Sequence, residues 1–343
     1  MNRCKVCILP DTYPGIHFDE KGVCNFCLSY KPRKYRGRKR LKEDILKYAG
    51  EKYDCVVCFS GGRDSSFLLW YLVKELGLRA VAYSADNGFI PDQTKHNMKR
   101  IAQNLGVRLV VEEHKYLKKC LDHHLKTWLQ KPTAASIGMF CVGCRLGIDL
   151  GAQKFAVRER IPVIAFGGTP FEGMDYKINI FKKKGSLIKG MIDQALNNPK
   201  WVHNPYTVVT QVKEFLIHYR RVLRNKNIRR ISPFCRYVRW EEKIVDAVNM
   251  NKLDWEKNPE LESTWRGDCD VFILKSFLYK KALGFNDFDD GLSALIRDKQ
   301  ISREEGLKRL HKEGKFSEDI IIRILDNLGI DQLDFKGSLK KLY

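Results

Sequence analysis

The residues Ser60-Gly61-Gly62-Arg63-Asp64-Ser65-Ser66 are of types that bind phosphate, and their order says how. They follow the apolar run Cys55-Val56-Val57-Cys58-Phe59 and precede Phe67-Leu68-Leu69-Trp70-Tyr71-Leu72, so the stretch reads as buried strand, glycine loop and helix. Adjacent glycines let the backbone approach an anion with no Cβ in the way. The helix behind them offers unpaired N–H groups and the positive end of its dipole, and Ser65 and Ser66 add hydroxyl donors. A Walker A loop needs a lysine after its last glycine, and none follows here. Asp64 instead stands where the loop turns into the helix, a place where Mg²⁺ would bridge it to a phosphate.

Cysteines form the second set. There are eleven, an odd number, and several come as C-x-x-C pairs, which favours metal or sulfur chemistry over disulfides. Cys4-x-x-Cys7 and Cys24-x-x-Cys27 have the spacing of a four-cysteine zinc site; four ligands leave no open position, so the site is expected to be structural. Cys141-x-x-Cys144 supplies two further ligands. Cys269 in Trp265-Arg266-Gly267-Asp268-Cys269 is the preferred third and Cys235 the alternative. Three cysteines would hold a [4Fe–4S] cluster with one iron open, and a second zinc, a redox pair or plain structural thiols are the other readings. Cys55 and Cys58 are expected to be buried strand residues.

Positioning these groups requires a scaffold. From about residue 52 the chain alternates strand and helix: a second strand over 79–84 ends in the turn Asp86-Asn87-Gly88, a helix runs from Pro91 to Gly106, and further strands follow at 107–111 and 161–166, the last leading into Gly167-Gly168-Thr169. Near-continuous apolar strands alternating with helices predict an α/β fold, a doubly wound parallel sheet covered on both faces. Ligands of such sheets bind at the carboxyl ends of the strands, so loops 60–66, 84–88 and 167–175 are expected to converge. Four regions result: a four-cysteine zinc module at 1–30, a basic linker at 31–51 read as a solvated tether, a phosphate-binding α/β domain at 52–238 and a helical C-terminal domain at 239–343. Ser302-Arg303-Glu304-Glu305 is a capping box inside the last.

The 343 residues carry a net charge of +21 and 44% hydrophobic residues, enough for a packed core and a demand for acidic partners such as nucleotides, nucleotide-sugars, RNA or an acidic protein. No apolar signal region opens the chain and no run reaches a membrane span, so the reading is a soluble, cytosolic protein with no membrane span.

The S-G-G-x-D-S loop resembles the pyrophosphate loop of the PP-loop ATPases, which cleave ATP between the α- and β-phosphates. The resemblance implies an adenine nucleotide alpha-hydrolase-like domain. Cys4-Lys5-Val6-Cys7-Ile8-Leu9-Pro10-Asp11-Thr12-Tyr13-Pro14-Gly15-Ile16, then Phe18 to Cys27, and Leu292-Ser293-Ala294-Leu295-Ile296-Arg297 with Gln300 to Glu305 narrow it: over nearly its full length the chain is similar to the N-acetyl sugar amidotransferases of bacterial surface-polysaccharide, O-antigen and nonulosonic-acid pathways. That likeness implies adenylation of a sugar acetamido oxygen, loss of pyrophosphate, and displacement of AMP by ammonia to give an acetamidino group. ATP, Mg²⁺ and Zn²⁺ are the implied cofactors. Ser60, Gly61, Gly62, Asp64, Ser65, Ser66, Gly167 and Gly168 would hold the pyrophosphate, with Ser84, Asp86 and Asn87 beside adenosine. Arg63, Asp64 and Asp175 would act in catalysis. The implied partners are a separate glutaminase subunit, a synthase-like subunit and an anionic, nucleotide-linked sugar, with no nucleic acid. The alternative is tRNA thiolation, which shares the loop and the cysteine pattern and would use Arg220–Arg230 on tRNA phosphates.

Overall fold

The computed structural model describes residues 2–130, 132–172 and 227–342. Its centre is a parallel sheet of β1 (Cys55–Cys58), β2 (Ala80–Asp86), β3 (Leu109–Glu113), β4 (Val163–Phe166) and β5 (Arg229–Ile231) in the order β3-β2-β1-β4-β5. The order reverses between β1 and β4, and there the loops leaving the strands part to open a crevice. Alternation sends Val56 to one apolar layer with Val81, Phe155 and Ile164, and Cys55 and Val57 to the other with Leu68, Leu69 and Val163. The fold is thus a doubly wound α/β sheet with an N-terminal cysteine cluster and a helical C-terminal region, as the strand pattern predicts. Boundaries move by up to two residues at strand starts, and the helix Asp92–Leu105 ends on left-handed Gly106. Among the described residues no helix is long and apolar enough to cross a membrane.

The basic segment 31–51 is not a solvated tether. It contains the helix Arg38–Leu46, whose Leu41 and Ile45, four residues apart, are fully buried. Arg36 and Gly37 donate backbone hydrogen bonds to the carbonyls of Arg236 and Tyr237, and Asp44 accepts from the Tyr237 hydroxyl at 2.8 Å. The charges occupy the outer face while a single apolar stripe docks the segment.

The two passages that carried the narrower resemblance lie against one another. Ser293 accepts the Ile8 N–H at 3.3 Å, and Asp289 pairs with Arg3 at 2.7 Å. The Arg303 Nε donates to the carbonyls of Cys4 and Cys7, both at 3.1 Å. Ser302 caps its helix by accepting from the Glu305 N–H at 3.0 Å, one half of the expected capping box, while a reciprocal capping box forms at Asn286 and Asp289.

Candidate active site and cysteine clusters

The loop after β1 and the loop after β4 meet at the crevice. Gly61, at φ +76°, makes the turn, and its carbonyl accepts from the Trp255 indole at 3.0 Å. Ser65 Oγ lies 3.0 Å from Ser60 Oγ and donates back to the Gly62 carbonyl at 3.1 Å, so the hydroxyls brace the cradle. The helix Arg63–Trp70 begins here with Asp64 in its first turn. Ser60, Gly62, Asp64 and Ser65 line a cavity of 420 Å³ together with Gly167, Gly168, Glu172 and Asp268 and a group of arginines: Arg63, Arg145, Arg230 and Arg266. Ser66 is buried and does not line it, and its hydroxyl has no hydrogen-bond partner among the described residues.

Gly167 is needed for the close approach. A Cβ there would lie 3.0 Å from Ser65 Cα and 3.2 Å from Ser65 N, both rigid backbone atoms. Gly167→Ala is therefore expected to push the β4 loop off the cradle. ATP affinity measured by calorimetry should fall about tenfold or more, the worth of a lost charge-assisted hydrogen bond, with the melting temperature little changed.

Asp64 is held at Oδ1 by the Arg63 Nε at 3.1 Å and the Trp240 indole at 3.2 Å. Burial raises its carboxyl to about 6 against the opposing pull of Arg63. Carboxylate oxygens on the cavity wall are the donor type that Mg²⁺ takes, and Asp64, Glu172 and Asp268 supply them. Arg63 is placed otherwise than a free catalytic group. Its Nη1 donates to Glu242 at 2.9 Å and Thr264 at 3.1 Å, and its guanidinium lies 5.0 Å over the Trp240 ring. Glu242 in turn accepts from both Nη atoms of Arg309, at 2.6 and 3.0 Å. Breaking a buried pair of this kind costs about 3–5 kcal/mol, which makes Arg63 a fixed brace between the loop and the C-terminal helices.

The loop at 84–88 does not join this cavity. β2 lies on the far side of β1 from β4, and Asp86 and Asn87 line a separate cleft of 480 Å³ with His114, Lys115 and Lys118. Asp86 accepts the Gly88 N–H at 2.7 Å, the work of a turn former, and Ser84 is buried within β2. Asp175 lies outside the described residues, as do positions 220–226 of the basic run. Cys58, expected in the core, lines the cavity beside Phe166. Glu172, Asp268, Arg145 and Arg266 escaped the sequence reading; Arg266 and Asp268 flank the glycine of a segment read only for its cysteine.

Cys4, Cys7, Cys24 and Cys27 place their sulfurs within 4.8 Å of one another, three of them buried. Backbone N–H groups of Val6 and Cys24 donate to Cys4 Sγ at 3.4 and 3.2 Å, the bonds that thiolate ligands receive. Hydrogen bonds from Cys24 and then Cys27 pull the Cys7 thiol far down. The donor set fits a tetrahedral metal or an iron–sulfur cluster.

Cys141, Cys144 and Cys269 also gather, at the carboxyl end of β2. The Asn87 amide stands between two of them, donating to Cys144 Sγ at 3.4 Å and Cys269 Sγ at 3.5 Å. Lys275, buried, donates to Cys141 Sγ at 3.6 Å. Burial, then the neighbouring Cys141, pushes Cys144 up to about 12, and Cys269 is raised by burial and Cys144 in the same way. Among the described residues only the N-terminal four meet the 4.8 Å spacing of ligands to a single ion. Cys235 stands apart, its thiol on the Gly168 carbonyl at 3.4 Å.

No family model matches the chain. Over 120 residues it is 28% identical to an uncharacterized protein of Methanocaldococcus jannaschii, covering 33% of this chain and 43% of the relative, so the chain spans less than half the length of the curated relative it matches. Among solved structures it is similar to a U34-tRNA thiolase from Methanococcus maripaludis with its [4Fe-4S] cluster, at TM-score 0.39 and 16% identity over 90% of this chain and 89% of that one. It is similar too to an NH3-dependent NAD synthetase from Campylobacter jejuni, at TM-score 0.31 and 13% identity over 55% and 91% of the two chains. A predicted subunit of tRNA methyltransferase from Methanocaldococcus jannaschii aligns at TM-score 0.31 and 17% identity over 68% and 90%. All three scores lie below 0.5.

Proposed function

We propose that the chain is an ATP-dependent, AMP-forming enzyme that activates a carbonyl-type oxygen and exchanges it for another nucleophile. The observation that carries this is the serine- and glycine-lined cradle at the sheet's switch point, which faces arginines across a 420 Å³ cavity. The acceptor oxygen attacks the α-phosphate; the P–O bond to the β-phosphate breaks, and pyrophosphate leaves into the Ser60–Ser65 cradle. Mg²⁺, held by Asp64 with Glu172 or Asp268, would neutralise charge on the phosphates. The incoming nucleophile then adds to the activated carbon and AMP departs with the original oxygen.

Two nucleophiles complete the reaction. Ammonia acting on a sugar acetamido group is supported by the sequence passages at 4–27 and 292–305, and that reading brings a separate glutaminase, a synthase-like subunit and a structural zinc. Sulfur acting on a tRNA base is supported by the gathering of Cys141, Cys144 and Cys269 beside a buried lysine, a feature of the fold itself. It is favoured at least as well, because the passages that suggested a sugar pack on one another rather than into the cavity. One experiment decides between them. Anaerobically purified protein is incubated with ATP and Mg²⁺, once with nucleotide-linked acetamido sugars and ammonia and once with tRNA and sulfide. Mass spectrometry of sugar and nucleosides then shows O-to-NH or O-to-S exchange. Pyrophosphate formation with neither product would sink both acceptor readings, and its absence with every acceptor would sink the adenylation itself.

A further inference from the structure

We propose that Arg266 is the residue that grips the departing pyrophosphate, carried into the cavity by the C-terminal segment and held ready there by Glu172. This rests on the reading of the Ser60–Ser65 loop as a polyphosphate cradle and names a ligand to it that lies more than two hundred residues away in sequence.

The segment around Arg266 is anchored against the cradle. The Gly267 carbonyl accepts from Thr94 Oγ1 at 3.2 Å, and a Cβ on Gly62 would lie 3.0 Å from Asp268 Cβ. Trp265 N–H donates to Ser263 Oγ at 3.1 Å, and the Asp270 N–H donates to the Phe89 carbonyl at 3.0 Å. Between these anchors Arg266 adopts φ +59°, a left-handed conformation that side chains with a Cβ rarely take. Backbone of this kind persists where the surroundings enforce it, and it collects at ligand clamps. Its effect is to direct the side chain over Phe272, 5.0 Å from the ring centroid, and into the cavity.

The partner of Arg266 separates it from two other cavity arginines. Arg63 is tied to Glu242 behind the loop, and Arg230 to Asp149. Arg266 pairs at 3.1 Å with Glu172, which itself lines the cavity and is fixed by the Thr169 N–H at 2.9 Å. Arg266 is 34% exposed and Glu172 23%, so the pair faces solvent within the cavity. The pair is half-buried but open on its cavity side, so a ligand entering the cavity reaches the guanidinium directly. A diphosphate offers the same guanidinium a bidentate oxygen pair with more charge than one carboxylate. Arg266 would therefore leave Glu172 for the phosphates when they arrive, which frees the carboxylate towards Mg²⁺.

The probe is inorganic pyrophosphate with Mg²⁺, titrated calorimetrically into the full chain. Arg266→Ala is expected to weaken binding about tenfold to a hundredfold, the range for a charge-assisted bidentate contact, and Arg266→Lys to recover only part of it. Glu172→Gln, titrated without Mg²⁺ so that any part Glu172 plays as a metal ligand drops out, is expected to raise pyrophosphate affinity by removing the competing carboxylate. Melting curves verify that each variant folds, and Arg266→Lys serves if the alanine variant does not. Wild-type affinity in both Arg266 variants, with binding weakened by Ser65→Ala, would overturn this inference and leave the cradle standing. Absence of pyrophosphate binding by the wild-type protein would overturn cradle and inference together.

Discussion

Asp64→Ala is expected to give a folded protein that no longer releases pyrophosphate from ATP. The substitution takes away a buried carboxyl that the fold holds at an energetic disadvantage, its proton affinity raised to about 6 chiefly by burial. What it leaves behind is tolerable, because Arg63 keeps Glu242 and Thr264 as partners and the Trp240 indole loses one acceptor. Catalysis has no such reserve. A carboxylate that holds the metal on the phosphates contributes several kcal/mol in the transition state, so the rate should fall about a thousandfold or more. Unaltered pyrophosphate release by this variant would end the proposed mechanism. The pH dependence has a definite sign. Only the ionised carboxylate holds a cation, so Mg²⁺ affinity should fall about tenfold per unit below pH 6. Stability of the metal-free protein moves the other way: the folded state keeps the proton more tightly than the unfolded chain, so this group's contribution is full below the unfolded value and is lost as pH rises through about 6. Asp64→Asn should abolish both trends.

The strand–loop–helix unit at 55–72 was legible because its period, its glycines and its acid are all local. The doubly wound sheet followed from repetition of that pattern, and the tetracysteine site from spacing alone. What the sequence concealed was long-range. Nothing near Arg63 announces that Glu242 and Arg309 will claim its guanidinium, and a reading of single residues assigns it to phosphate by default. Arg266 and Asp268 carry no motif of their own in the sequence, and only the fold brings their segment across the Gly62 loop. The expectation that 84–88 joins the cavity failed on topology: all strands end on the same side of the sheet, but the glycine loops meet between β1 and β4, while 84–88 lines a separate cleft beyond β1. The run at 31–42 looked solvated since its many charges outnumber Leu41 and Ile45, although those two suffice to dock one face of a short helix. The Leu292–Arg297 and Gln300–Glu305 passages read as signs of the acceptor, whereas the fold uses them as the platform under the cysteine module.

That platform makes metal removal the second large effect. Stripping the tetracysteine site should lower the melting temperature by roughly 10 °C or more, since a structural tetrathiolate site contributes many kcal/mol to folding and each one moves a chain of this size by a few degrees. Without an ion, the four sulfurs within 4.8 Å must carry protons or repel, and the turns that place the Cys4 and Cys7 carbonyls lose their reason to persist. Those carbonyls are what Arg303 binds, and Arg303 opens the helix Arg303–Glu313. The same helix carries Arg309, which holds Glu242, which holds Arg63, whose Nε reaches Asp64. Disorder at the cysteines thus has a connected route of hydrogen bonds to the phosphate loop, so ATP affinity should drop together with stability. Chelator-treated protein, checked by quantifying zinc and iron, gives the first measurement. Arg303→Ala gives the second: it should keep its metal yet bind ATP more weakly than the wild type. Metal-free protein with unchanged melting would show that the cysteines are not structural, while normal ATP affinity in Arg303→Ala would break the route at its first link and leave the metal site as a local brace.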